Sequence, residues 1–153
     1  MYHRFVAAKV RQAFARISAG DYEAMIDGMA PRFTYRFYGN HALSGERHTK
    51  DAMRRWWQRS FRLMSEPVFE VQQVVVAGWP WHTTVATLVS VRARVAGAQP
   101  YQNVFMQIMT MKWGKLTDVK TLEDTVVLQQ ALDAAAAAGA HEAHAAPITD
   151  IPA

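Results

Sequence analysis

The chain has 153 residues, which is room for one domain with a hydrophobic core. Half of the residues are apolar and 20% are charged, a balance that excludes extensive disorder. The 17 basic and 13 acidic residues give a net charge of +4. Cysteine is absent, which excludes disulfides, thiolate nucleophiles and cysteine-based metal sites. No apolar run is long enough to cross a membrane, and we expect a cytoplasmic protein.

The first half of the chain predicts three helices and one strand. Apolar residues at helical spacing predict a helix over 3–18, which Gly20 ends. A second, short helix follows Asp21 and closes at Pro31. Alternating aromatic residues predict a strand over 32–38, and a Trp-containing helix over 50–64 follows an N-cap at Thr49.

The second half predicts four long strands and a closing helix. The strands cover 68–77, 82–95, 101–113 and 115–124, and Asp124 is the expected N-cap of the last helix. Long consecutive strands after segregated helices predict an α+β fold. We expect one domain over residues 1–133 and an alanine-rich tail over 134–153.

The strand over 101–113 is apolar in the middle of both faces. Its odd positions include Asn103, Phe105 and Gln107, and its even positions include Met106 and Ile108. Both faces must therefore be covered, and helices can cover only one face of a curved sheet. A second copy of the chain covering the other face is favoured over a strand that is buried on both faces within one chain.

Several motifs in this order resemble a known family. They are Ala19–Ala24 after an amphipathic helix, His41–Gly45 before a Trp-rich helix, Tyr101–Asn103, Trp113–Asp118 and the pair Glu123–Asp124. Over residues 3–133 the chain resembles the nuclear transport factor 2-like superfamily, in its SnoaL-like branch, which includes polyketide cyclases and ketosteroid isomerase-like proteins. The resemblance implies a cone-shaped, curved antiparallel sheet wrapped around the N-terminal helices, a pocket inside the cone, and dimers formed through the convex face.

The resemblance also indicates where acidic residues of the known chemistries would stand. The base of the isomerases aligns with Phe37 and their second acid with Gln107, while the aspartate of the cyclases and epoxide hydrolases aligns with Thr121. None of the three is acidic here. Binding of a small apolar molecule is therefore favoured over the familiar chemistry, and fold analogy alone is a weak guide to activity.

The remaining candidates each have a structural alternative. For catalysis they are His41, a loop residue that titrates near neutrality, and Glu123, an acid that can face the pocket. For ligand binding they are Tyr35, Phe37, Trp57, Asn103, Phe105, Gln107 and Thr121. Asn103 and Gln107 could equally bond each other, Tyr35 could be a core tyrosine, and Trp56, Trp57, Trp79 and Trp81 could be core residues instead of cavity walls.

The favoured function is a SnoaL-like protein that binds a small hydrophobic organic ligand in the cone pocket. The alternatives are an isomerase, cyclase or hydratase acting on a steroid-like or polyketide-like substrate, and a protein-interaction module that uses the convex face. We expect a homodimer and no cofactor. His141 and His144 are too few ligands for a metal site, and the basic helix around Arg54 lacks an aromatic platform, so we expect no metal and no nucleic acid as partners. Because no apolar run is long enough to span a bilayer, we also expect no membrane partner.

Overall fold

A computed structural model describes residues 1–97 and 99–150 of the chain. Helices and strands follow the predicted α+β order, with the helices segregated from a run of long strands. The elements are α1 (Tyr2–Ser18), α2 (Glu23–Asp27), β1 (Met29–Phe37), β2 (Gly45–Arg47), α3 (Lys50–Leu63), β3 (Ser65–Trp79), β4 (His82–Val95), β5 (Gln99–Lys112), β6 (Lys115–Glu123) and α4 (Thr125–Ala137), followed by a 3-10 turn at His141–His144.

The six strands form one curved, open sheet in the order β2-β1-β6-β5-β4-β3. Every neighbouring pair is antiparallel except β1 and β6, which run parallel. The sheet is therefore mixed at this one pair, where a wholly antiparallel sheet was expected. The parallel pair is a consequence of chain order, because β1 precedes the long hairpins and joins the sheet beside the last strand.

Helix ends follow the predicted capping residues. The Thr49 hydroxyl accepts a hydrogen bond from the backbone N–H of Ala52 at the start of α3. The Asp124 carboxylate accepts hydrogen bonds from the backbone N–H groups of Val126 and Val127 at the start of α4. The Asp124 carboxylate therefore caps α4, whereas the side chain of the neighbouring Glu123 lies on the concave side of the sheet.

Two local expectations in the first half of the chain were wrong. The second helix ends at Asp27, and Pro31 lies inside β1. Proline is tolerated there because the pairing of β1 with β6 is irregular between Met29 and Thr34, so no ladder hydrogen bond is lost. The three-residue strand β2 was not predicted, since so short a segment carries no hydrophobic alternation.

The two faces of the sheet have different surroundings. On β5 the odd-numbered side chains, including Asn103, Phe105 and Gln107, are buried against the helices. The even-numbered Met106 and Ile108 are about half exposed on the convex face. The predicted alternation is confirmed, and within this chain the helices cover only the concave face.

Residues 141–150, in the predicted tail, lie against β2 and α3. Glu142 bonds the guanidinium groups of Arg59 and Arg62, and the Asp150 carboxylate accepts hydrogen bonds from the backbone N–H groups of His48 and Thr49. The segment therefore packs against β2, the strand at one edge of the sheet. None of the helices in the described part of the chain is both long and apolar enough to span a membrane.

Candidate functional site

A cavity of about 550 Å³ lies between the concave face of the sheet and the helices. Its lining is mostly apolar and comes from α1, α2, α3, the strands β1, β3, β4, β5 and β6, and the turns between them. The polar side chains in the lining are few: Tyr2, Lys9, Tyr35, Ser60, Gln107, Thr121 and Glu123, with the indoles of Trp56, Trp57 and Trp113. A concave apolar chamber with a small number of polar groups is typical of a site for a small organic molecule.

The positions singled out by the resemblance lie side by side on the concave face. In the strand register Phe37 of β1 is opposite Thr121 of β6, which is opposite Gln107 of β5. All three are buried and line the cavity. The Gln107 amide donates a hydrogen bond from Nε2 to Thr121 Oγ1, 2.9 Å away, so Gln107 pairs with Thr121 and not with Asn103.

Glu123 is the acidic residue of the cavity lining among the described residues. It follows Thr121 by two positions on the same face of β6, which places it about 7 Å further along the strand. Its Oε1 atom accepts a hydrogen bond of 2.8 Å from the Tyr101 hydroxyl. Burial raises the pKa of the carboxyl from 4.5 to about 7, the negative charge of Asp124 adds to the rise, and the Tyr101 hydrogen bond opposes it. The group can therefore exchange a proton near neutral pH.

Asn103 contacts this carboxyl indirectly, through the Tyr101 hydroxyl. Its Nδ2 atom donates hydrogen bonds to Tyr101 Oη at 2.8 Å and to the backbone oxygen of Asp124 at 3.0 Å. Its Oδ1 atom accepts from the backbone N–H of Val104. Asn103 is outside the cavity lining and its amide is fully engaged, so it fixes the Tyr101 hydroxyl that holds Glu123.

Tyr35 is buried on β1 and lines the cavity. Burial raises the pKa of its hydroxyl; the positive charge of Arg47 opposes the rise and the negative charge of Glu123 adds to it. The ring packs against Trp56 at a centroid distance of 5.2 Å, with the Arg47 guanidinium 5.5 Å from the ring centre. Tyr35 is thus a neutral hydroxyl, held rigidly in the wall of the cavity.

Arg47, which sequence reasoning did not single out, is fully buried behind this wall. It donates hydrogen bonds to the backbone oxygens of Ser44, Gly45 and Ile148. Burial lowers its pKa to about 10. Its side chain contacts β2, the C-terminal segment and Tyr35. Its burial could not be predicted from the sequence, because a three-residue strand is too short to show an alternating hydrophobic pattern.

His41 is buried behind Phe37 and lies outside the cavity lining. Its ring meets the Phe37 ring edge-on at 5.0 Å. Its Nδ1 accepts from the backbone N–H of Leu43, and its Nε2 lies 3.3 Å from the backbone oxygen of Tyr38. Burial lowers its pKa, so the ring is neutral at physiological pH. The fold does not bring His41 and Glu123 together, and His41 holds the loop in shape.

Four of the five tryptophans form two pairs that are close in sequence and have different surroundings. Trp56 and Trp57 are buried on α3 and line the cavity, where the Trp57 ring stacks on Tyr22 at 6.0 Å. Trp79 and Trp81 are exposed at the β3–β4 turn and are neither core nor cavity wall. Phe105, the last of the predicted ligand-binding residues, lies in the lining against Phe14 and Phe69.

Within residues 1–97 and 99–150, no three His, Asp or Glu side chains converge as metal ligands. His144 instead bonds the Asp133 carboxylate at 2.8 Å. The polar groups of the cavity itself are a carboxyl, an amide, an ammonium, hydroxyls and indole N–H groups, which suit proton transfer and hydrogen bonding to an organic ligand.

Comparison with known proteins gives a consistent family and fold. The model of the SnoaL-like domain family matches residues 10–119. No curated protein matches the chain in sequence. PrhC from Penicillium brasilianum has a similar structure, with a TM-score of 0.78 at 16% identity over 92% of this chain and 93% of its own.

Two further solved structures show the same fold. An NTF2-like protein of unknown function from Burkholderia pseudomallei has a TM-score of 0.73 at 13% identity, over 82% of this chain and 95% of its own. IdmH from Streptomyces antibioticus, a proposed polyketide cyclase, has a TM-score of 0.65 at 18% identity, over 83% of this chain and 95% of its own. At these identities the likeness concerns the fold alone.

Proposed function

Because the chain belongs to the SnoaL-like domain family, we propose that its cavity binds a small, largely apolar organic molecule and that Glu123 transfers a proton to or from it. The reaction class is an isomerisation or cyclisation that starts by removing a proton next to a carbonyl group. The observation that carries the proposal is the partly buried Glu123 carboxyl in the wall of an apolar cavity.

The apolar lining supports the choice of ligand. Phe14, Phe105, Trp57 and Met109 present hydrocarbon surface on several sides of the chamber, which favours a ligand with a rigid apolar body. The buried Gln107–Thr121 pair and the Tyr35 hydroxyl form a small polar region in that surface. Such a region orients a single oxygen atom of the ligand.

The pKa of Glu123 supports its role as the base. A general base is most effective when its pKa is near the working pH, and burial brings this carboxyl to about 7. Tyr101 holds it through Oε1, which leaves the second oxygen for the ligand. The resemblance placed an acid of related chemistry at Thr121, and Glu123 offers a carboxyl two residues along the same face.

Tyr35 is the natural donor for negative charge that develops on the ligand oxygen. Its hydroxyl stays protonated because its pKa is raised by burial. Donors fixed in a dry site stabilise a developing oxyanion more than water does, because they need no reorganisation. Glu123 as base and Tyr35 as donor together supply the two groups that enolisation of a ketone requires.

The test uses 2-tetralone, a bicyclic ketone with exchangeable protons beside its carbonyl. In D₂O, the wild-type chain should accelerate their exchange for deuterium, followed by NMR. Glu123→Gln should lose the acceleration by at least about a hundredfold. It should still bind the ketone, as seen by saturation-transfer NMR, because glutamine preserves shape and the Tyr101 hydrogen bond.

Asp118→Asn is the matched control, since Asp118 is on the same strand but bonds Lys120 instead of lining the cavity. It should exchange at the wild-type rate. Equal loss in both variants, or binding without any acceleration by the wild-type chain, would contradict proton transfer by Glu123.

A second proposal concerns the convex face. We propose that the chain forms a homodimer there, because five apolar side chains on the convex face of β3, β5 and β6 are about half exposed: Val75, Val104, Met106, Ile108 and Leu122. Contiguous exposed apolar surface on a sheet is typical of an interface. A second copy supplies a surface of the same chemistry by two-fold symmetry, and another protein is the alternative partner.

A further inference from the structure

Three exposed tryptophans form one cluster, in which Trp79 and Trp81 belong to neither the core nor the cavity and Trp113 contributes to the cavity lining. Trp79, Trp81 and Trp113 are 62%, 56% and 73% exposed, and we call them the aromatic rim. Trp79 and Trp81 stack at a centroid distance of 6.0 Å, and Trp113 lies 6.3 Å from Trp81. Large exposed aromatic patches on a small domain mark a surface that meets a partner.

The two hairpin turns that carry the rim are fixed to each other. The backbone N–H of Trp113 donates a hydrogen bond of 2.6 Å to the backbone oxygen of Pro80. Trp113 has φ +51°, a left-handed conformation that asparagine or glycine adopts with less strain. The turn therefore holds a largely exposed tryptophan at a position where glycine or asparagine would cost less backbone strain.

The rim borders the opening of the cavity. Trp113 and Pro80 line the cavity together with the exposed Phe5 and Lys9 of α1. His3 Nε2 lies 2.8 Å from the backbone oxygen of Gly78, which fixes the start of α1 beside the same hairpin. The aromatic rim, the start of α1 and the mouth of the apolar chamber are thus on one end of the molecule.

The charged residues in the three segments that form this end of the molecule are all basic, and an adjacent acidic residue is Asp27, whose backbone oxygen accepts a hydrogen bond from Lys115 Nζ. Segments 1–9, 78–83 and 111–116 contain no Asp or Glu. They contain Arg4, Lys9, Lys112 and Lys115, all of which are exposed. A group of basic side chains around exposed tryptophans is complementary to an apolar surface that carries negative charge.

We propose that this end of the molecule docks on the surface of an anionic phospholipid bilayer. The rim tryptophans enter the headgroup region, where amphipathic indole rings are favoured, and the four basic residues face the anionic headgroups. The mouth of the cavity then faces the bilayer, so that an apolar ligand passes between lipid and cavity without crossing water. The sequence-based expectation of no membrane partner considered only a spanning segment, which surface docking does not require.

Sedimentation with vesicles tests the proposal. The wild-type chain should bind vesicles of phosphatidylcholine with phosphatidylglycerol and not vesicles of phosphatidylcholine alone, and salt should weaken the binding. Binding should shift tryptophan emission to shorter wavelength, because Trp56 and Trp57 are already buried and the rim supplies the change. Lys112→Gln should weaken binding about fivefold, since one basic residue near an anionic surface contributes about that factor.

Trp81→Ser combined with Trp113→Asn should abolish binding, and asparagine suits the left-handed turn, so the fold is preserved. Val126→Ser is the matched control, because it removes an exposed apolar side chain of α4 that lies outside the rim, the cavity lining and the proposed dimer face. Lys120→Gln is the charge control outside the rim.

Four results would overturn the proposal. The first is absence of vesicle binding by the folded wild-type chain, and the second is equal loss of binding in Val126→Ser. The third is a lower sedimentation mass of the tryptophan variant without vesicles, which would make the rim a contact between copies. The fourth is binding of a single-stranded oligonucleotide through the tryptophans without binding of vesicles, since stacking on bases also uses exposed aromatics among basic residues.

Discussion

Replacing Glu123 by glutamine should make the protein more stable above neutral pH and change its stability little in acid. The carboxyl has a pKa of about 7 in the folded chain and 4.5 as its ordinary value, so the folded state holds its proton more tightly than the unfolded state. Unfolding between these values releases a proton, and stability therefore falls as pH rises through this window. Glutamine carries no charge at any pH and removes this loss.

The size of the effect follows from the two pKa values. Once Glu123 is deprotonated in both the folded and the unfolded chain, burial of its charge lowers the free energy of unfolding by up to about 3 kcal/mol. At about pH 5 the same cost is below about 1 kcal/mol, because the folded carboxyl is still protonated. The advantage of Glu123→Gln over wild type should consequently grow by about 2 kcal/mol between about pH 5 and about pH 8.

Urea unfolding of both proteins at the two pH values measures this difference directly. The glutamine side chain keeps an acceptor for Tyr101, so the hydrogen bond is preserved and only the charge changes. Asp118→Asn, on the opposite face of β6, should show no such growth. A pH-independent difference between Glu123→Gln and wild type would refute the view that burial governs this carboxyl.

Three further predictions concern other parts of the chain. Met106→Glu should convert a dimer into monomers in sedimentation velocity while Gln102→Glu, on the same face, should not; a monomeric wild-type chain would contradict the interface. Gly39→Ala should lower the free energy of unfolding by at least about 2 kcal/mol, because φ is +124° and the added Cβ would lie 2.7 Å from the His41 ring; a smaller loss in thermal unfolding would show that the loop can shift. His48→Asn should destabilise the protein below pH 6.5 and destabilise it less at about pH 9. Burial lowers the pKa of His48, but its two carboxylate partners raise the pKa overall, so the charged ring stabilises the folded chain only at the lower pH. Equal loss of stability at both pH values would exclude a charged His48.

The sequence predicted the fold well because its main signals are periodic. Alternation along β5 and helical spacing along α3 both report which face is buried, and the structure has both elements within two residues of the predicted ends. Where periodicity is absent the prediction was wrong: β2 is too short to alternate, and Pro31 lies in an irregular part of β1.

The site was only partly accessible to sequence reasoning. Phe37, Gln107 and Thr121 are far apart in the chain and meet because three strands share one register. Arg47 and Tyr101 depend on partners that the sequence does not place beside them. Asn103 had the burial that was expected, but its bonds to Tyr101 and Asp124 depend on how β5 meets the start of α4.

The pH profile of proton exchange in 2-tetralone tests the central claim most directly. With the wild-type chain, the protein-dependent rate should rise with pH and level off above a midpoint near pH 7, because Glu123 acts as a base only when its carboxyl has lost its proton. The rate with Glu123→Gln should stay at the level of the buffer at every pH. A wild-type profile with no midpoint near neutrality, or an unchanged midpoint in Glu123→Gln, would contradict a proton-transferring carboxyl in this cavity.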